Sequence, residues 1–104
     1  MTPFTEKVIS IILEIPEGKV MTYGQIASSA GSPRAARQVV RILHAMSKKY
    51  KLPWHRVVNA QGKIALQDEE GRFKQILYLS SEGIEVDENG YIDLTIYQHH
   101  AELE

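Results

Sequence analysis

Cysteine is absent from this 104-residue chain. That absence excludes disulfides, thiolate zinc sites and every mechanism built on a cysteine nucleophile. It fits a reducing compartment, and a cytoplasmic location, nucleoid-associated in a bacterium, is the expectation. No apolar run reaches the length of a membrane span and no signal peptide is visible, the N-terminal run being broken by Glu6, Lys7 and Glu14. No membrane partner is therefore expected. His44, His99 and His100 lack metal-ligand spacing, so neither metal nor cofactor is expected. Acidic residues are missing from one long window. Residues 18–67 contain no Asp or Glu, yet they hold nine of the twelve Lys and Arg residues. A solvated face would balance its charges locally; fifty residues of one sign suit a polyanion, nucleic acid before anionic membrane.

What is present fits a single mainly helical domain over 1–104, and a hydrophobic content of 43% opposes wholesale disorder. The last two residues, Leu103-Glu104, read as an expression scar. Phe4, Val8, Ile11, Ile12 and Ile15 mark one helical face, started by Thr2-Pro3 and stopped by Pro16. Thr22 and Gln25 form a capping-box pattern for a second helix ending at Gly31. Ser32-Pro33 reads as the cap and first residue of a third, with Ala36, Val39, Val40, Leu43 and Met46 toward the core. Arg34, Arg37, Arg41, His44 and Lys48 fall on another side. Two helices about a tight glycine turn make a helix-turn-helix candidate, strengthened by that basic stripe; a plain helical hairpin is the commoner alternative. Lys48–Lys51 read as a loop. Arg56-Val57-Val58 and Lys63–Leu66 read as short partner strands about an Asn59–Gly62 turn. A fourth helix starts at Asp68-Glu69-Glu70 and shows Phe73, Ile76, Leu77 and Leu79 as its apolar face, ending at Gly83. Tyr91–Leu94 reads as a last short strand.

Four pieces carry a family resemblance: Ile15-Pro16-Glu17-Gly18 with Thr22-Tyr23-Gly24-Gln25-Ile26-Ala27; Pro33-Arg34-Ala35-Ala36-Arg37-Gln38-Val39; Pro53-Trp54-His55-Arg56-Val57-Val58 with Gly62; and Glu82-Gly83. Their joint order resembles the DNA-binding, active-site domain of the O6-alkylguanine-DNA alkyltransferases, most strongly over residues 4–86. In those enzymes the third motif reads Pro-Cys-His-Arg-Val, whereas Trp54 stands here. That departure, the short chain and the tail at Ile92-Asp93-Leu94 bring the sequence nearest the alkyltransferase-like proteins. The implied fold is α+β, mainly helical, winged-helix-like, with a helix-turn-helix and a small β element.

Dealkylation needs a strong, soft nucleophile attacking an alkyl carbon, and a thiolate provides one. An indole N–H is a donor without an available lone pair. The resemblance therefore implies a non-enzymatic binder of O6-alkylguanine in duplex DNA. It acts by nucleotide flipping in the minor groove, as a monomer, and passes the lesion to nucleotide excision repair proteins. Trp54, Tyr23, His55, Val57 and Glu82 are the expected lesion pocket. Arg37 matches the arginine finger that fills the gap in the duplex. Thr22, Gln25, Arg34, Ala35, Ala36, Ala60 and Gln61 are the expected DNA contacts, of which Gln25, Arg34, Ala60 and Gln61 are of second rank, as is Lys19. The usual Asn-Pro pair before the motif is missing, and the lid region reads Ala65-Leu66-Gln67-Asp68, with Gln67 a candidate donor to the base. The alternatives are a helix-turn-helix regulator reading sequence through Arg34, Gln38 and Arg41, and a base-removing enzyme using His55 and Glu82.

Overall fold

Thr2 accepts the Thr5 N–H through its hydroxyl, and Pro3 occupies the first turn, so α1 (Pro3–Leu13) begins where the sequence places it. The computed structural model describes residues 1–100, and the Leu103-Glu104 assignment lies outside them. Strand β1 (Met21–Thr22) leads directly into α2 (Tyr23–Ser29), whose capping box is complete: Thr22 and Gln25 exchange bonds with each other's backbone N–H. Gly31, at φ +97°, closes α2 in a Schellman motif, with Ser32 N–H donating to Ala27 O and Gly31 N–H to Ser28 O.

This closure displaces the start of α3. Ser32 spends its N–H on the end of α2, and Ser32–Ala35 forms a separate turn closed by Ala35 N–H to Ser32 O at 2.9 Å. Helix α3 therefore runs Ala36–Tyr50, not from Pro33, and it carries Lys48 and Lys49 in its last turn where a loop was expected. Helices α2 and α3 make the helix-turn-helix. A 3₁₀ turn at Trp54–Arg56 precedes β2 (Val57–Val58). Then come α4 (Glu69–Ser81), capped by Asp68, and α5 (Leu94–Tyr97). The result is the mainly helical, winged-helix-like α+β fold with a small β element. Among the described residues no helix is long and apolar enough to cross a membrane.

The strand pairing differs from the expected hairpin. β2 pairs in parallel with β1, Met21 opposite Val57 and Thr22 opposite Val58. Lys63 instead bridges antiparallel to Tyr91, and α5 covers the end of the expected strand at Tyr91–Leu94. Gly62 explains the diversion. Its φ is +80°, and a Cβ there would meet Ile92 O at 2.5 Å, so the turn is pressed against the C-terminal segment and held by Ile92 N–H to Gly62 O.

The two-residue period of the strands divides the interior. Met21 and Val57 join Val8, Ile12, Ile26, Val39 and Leu43 in a core under α1–α3. Val20 and Val58 join Ile64, Leu79, Ile84 and Ile92 in a second core beneath α4. The 3₁₀ turn bearing Trp54 thus sits where the two cores meet. Helix α4 presents a different face from the expected one: Phe73 and Leu77 are 67% and 52% exposed, while Gln75 is buried. The reason is hydrogen bonding. The Gln75 amide donates to His55 O at 3.1 Å and Val57 O at 3.2 Å, satisfying two carbonyls that the short sheet leaves without partners. Gln75→Ala should cost about 2 kcal/mol, because those carbonyls stay buried. Phe73→Ala should stay within about 0.5 kcal/mol of wild type. Urea midpoints of the two variants check this; equal losses would return α4 to the face expected from its apolar residues.

Candidate nucleic-acid interface

Pro53 and the turn behind it fix the orientation of the central side chains. Trp54 N–H donates to Leu52 O at 2.8 Å, and Arg56 N–H to Pro53 O at 3.0 Å. The turn brings Trp54 and His55 against Tyr78 of α4. Tyr78 lies 6.0 Å from the Trp54 ring and 5.4 Å from His55, edge-on to both, and Trp54 meets His55 at 6.2 Å and 87°. Such T-shaped contacts lock a large ring without covering it completely. Tyr78 was missing from the sequence candidates. Its one signal was its place four residues before Glu82, on the same helical face.

Trp54 lines a hollow of about 240 Å³ with Tyr23, Val40, Leu43, His44, Ser47 and Leu66. The walls are mainly apolar. Val40 was expected in the core but is 43% exposed, since it faces this hollow from α3. Tyr23 begins α2, and burial pushes its phenol above the ordinary value. Two of the five expected pocket residues, Trp54 and Tyr23, are therefore walls. The other three are not. Val57 is 1% exposed and packs in the core, because the strand period turns it inward. His55 and Glu82 stand outside the lining of the hollow, in an ionic clamp.

The expected DNA-contact residues divide similarly. Arg34, Ala35, Arg37 and Gln38 line a shallow groove with Ser32 and Pro33 at the helix-turn-helix elbow. Arg34 and Arg37 are exposed, and among the described residues neither has a carboxylate partner. Ala36 is half-buried at the first turn of α3; Ala60 and Gln61 are exposed on the turn after β2. Thr22 and Gln25 are committed elsewhere. Thr22 is buried in the capping box, and Gln25 bonds His99 O and the Gln98 amide, anchoring the C-terminal segment. Lys19 likewise donates to Ile96 O at 3.2 Å. Capping and anchoring use up the side chains that a sequence pattern leaves open for DNA. Gln67 is exposed and does not line the hollow.

The clamp centres on Glu82, just past α4, with a side chain 9% exposed. It accepts Arg56 Nε and a terminal guanidinium nitrogen, the closest at 2.7 Å, His55 Nε2 at 2.7 Å, and Gly18 N–H at 2.9 Å. Arg56 also donates to Ile15 O at 2.9 Å. Burial alone would raise the Glu82 carboxyl; the Arg56 fork, the Gly18 N–H and His55 outweigh it and hold the group at about 2, against an ordinary 4.5. A carboxylate depressed on folding stabilises the fold above its unfolded pKa, and loses that contribution as pH falls from about 4.5 toward 2. The shift corresponds to roughly 3 kcal/mol. Urea unfolding at pH 7, 5 and 3 should therefore show an acid-dependent loss of about 2 kcal/mol by pH 3 that Glu82→Gln, already destabilised at pH 7, largely lacks. Parallel pH profiles for the two proteins would contradict the clamp.

Residues 3–84 match the family model described as 6-O-methylguanine DNA methyltransferase, DNA binding domain. The DNA base-flipping protein of Escherichia coli is 46% identical over 95 residues, which cover 91% of this chain and 73% of that protein. Alkyltransferase-like protein 1 of Schizosaccharomyces pombe is 41% identical over 87 residues, 83% of this chain and 81% of that one. The crystal structure of S. pombe Atl1 in complex with damaged DNA containing O6-carboxymethylguanine superposes with a TM-score of 0.87 at 36% identity, covering 97% of this chain and 98% of Atl1. Methylated-DNA–protein-cysteine methyltransferases of Methanosarcina acetivorans and Saccharomyces cerevisiae match over 63 residues each. With tryptophan at the position of the reactive cysteine and a hollow beside it, the chain belongs to the alkyltransferase-like proteins of the 6-O-methylguanine DNA methyltransferase DNA-binding-domain family.

Proposed function

We propose that the protein recognises O6-alkylguanine in duplex DNA by rotating the nucleotide out through the minor groove into the hollow beside Trp54. It leaves the alkyl group in place. The observation that carries this reading is a half-buried indole, braced by Tyr78 and His55, forming one wall of an apolar cavity. Base–aromatic stacking contributes about 1–3 kcal/mol, and flipping costs a few kcal/mol, least for a weakly paired base. The terms are of similar size, so a lesion that weakens pairing decides the balance. Arg37, exposed on the basic elbow, is the group that enters the vacated stack, its planar cation suited to the orphaned base. Arg34 and the small residues Ala35 and Ala36 let α3 approach the backbone.

Transfer chemistry has no agent here. The chain has no thiol, and the His55–Glu82 pair that would serve one is instead tied to Arg56 and Gly18. An inert binder removes nothing, so the reading includes a hand-off of the marked site to nucleotide excision repair. A regulator that reads undamaged sequence leaves the cavity at Trp54 without a purpose.

Fluorescence-anisotropy titrations with two duplexes differing by one guanine O6-methyl should show tighter binding of the methylated one. Mass analysis of recovered DNA should find the methyl group intact. Trp54→Ala should reduce the lesion preference by about tenfold, and Arg37→Ala should weaken lesion binding by at least as much. Loss of the methyl from the DNA, or an unchanged preference in Trp54→Ala, contradicts the proposal.

A further inference from the structure

Trp54, His44 and Ser47 are walls of two hollows, not one. The second, of about 540 Å³ and open to solvent, adds Lys48, Lys51 and Leu52. The two hollows therefore adjoin at Trp54, His44 and Ser47. The character of that second space comes from the stretch that lacks the Asn-Pro pair. Helix α3 continues to Tyr50, and Lys51 takes the left-handed conformation, φ 54° and ψ 47°, capping the helix by donating its N–H to Ser47 O. A lysine-rich last turn is thereby folded up against Trp54.

The polar groups there are nearly all cationic donors or already engaged. The Ser47 hydroxyl donates to Leu43 O within the helix. Lys49 is drawn over the Tyr50 ring, 5.5 Å from its centre, and does not line the space. Lys48 and Lys51 do, and among the described residues neither has a carboxylate partner. No acid lies anywhere in residues 18–67 to neutralise them. The carbonyl end of α3 would repel an anion, and the two lysines that line the space supply the opposing charge.

We propose that this annex is a subsite for anionic O6 substituents, and that Lys48 and Lys51 make the protein favour a carboxyalkyl adduct over a neutral one of the same size. The inference rests on the lesion-binding reading above. The carboxylate gains charge-assisted hydrogen bonds with the lysines; a neutral isostere gains only dipolar ones. Phosphate contact is the competing role for the same two residues, and it makes a different prediction, since phosphates are common to all duplexes.

The test is the affinity of the full chain for four duplexes of one sequence at fixed salt, carrying guanine, O6-methylguanine, O6-carboxymethylguanine or its neutral isostere O6-carbamoylmethylguanine. The carboxymethyl duplex should bind about fivefold tighter than the carbamoylmethyl one. In the Lys48→Gln/Lys51→Gln variant that ratio should fall to about one, while the preference for O6-methylguanine over guanine persists. A wild-type ratio of one overturns the subsite. So does a variant that weakens all four duplexes by a common factor and keeps the ratio, which would reassign the lysines to phosphate. Absence of any O6-methyl preference in the wild type would sink the underlying reading itself.

Discussion

A single carboxylate holds the recognition turn in place. Glu82 gathers the adjacent His55 and Arg56 and the distant Gly18 backbone, so the clamp joins three parts of the chain, and Arg56 reaches on to Ile15 just past α1. Because the carboxylate and guanidinium are largely withdrawn from water, neither tolerates the loss of the other. Between these anchors lies the 3₁₀ turn with Trp54. Gln75 secures the same turn from the α4 side through two backbone carbonyls. The indole is therefore presented by a rigid seat, and it needs little reordering before a base can stack on it.

This arrangement separates roles that a reactive centre would combine. In an enzyme with a thiol, a histidine and a glutamate beside it prepare the nucleophile. Here the same two side chains face an indole neighbour that has no acid–base chemistry to offer, and they are consumed in holding the turn. The hollow on the other side of Trp54 is mainly apolar and is reached by residues of α2, α3 and the segment after β2. Charge follows the same division. The elbow of the helix-turn-helix carries arginines that have no carboxylate partner among the described residues, whereas the acidic residues fall outside residues 18–67 in the sequence, Glu82 alone being drawn onto Arg56.

Much of this was legible before any coordinates. The Thr2-Pro3 start, the Thr22–Gln25 capping box and the Gly31 stop are local signals, read within one helical turn, and each is formed as written. The motif around Trp54 pointed to the site through its family resemblance. What the sequence hid depends on distant partners. Nothing near Val57 indicates that it pairs with Met21, so a local hairpin looked more economical. Gln75 sits among apolar neighbours and reads as the solvent side of α4; only the unsatisfied carbonyls of His55 and Val57 make burial favourable. Gln25 looked free for DNA because its tail partners, His99 O and the Gln98 amide, lie far along the chain.

Lesion recognition depends on the contact between a flipped base and the indole, and the chain supplies its own probe. Trp54 is the sole tryptophan, so its emission reports this wall of the cavity alone. Titration with a duplex containing O6-methylguanine should quench that emission to a plateau at the stoichiometric point, while the unmodified duplex at equal occupancy leaves it close to its starting level. Equal emission changes from both duplexes once each is fully bound would mean that the base never reaches Trp54.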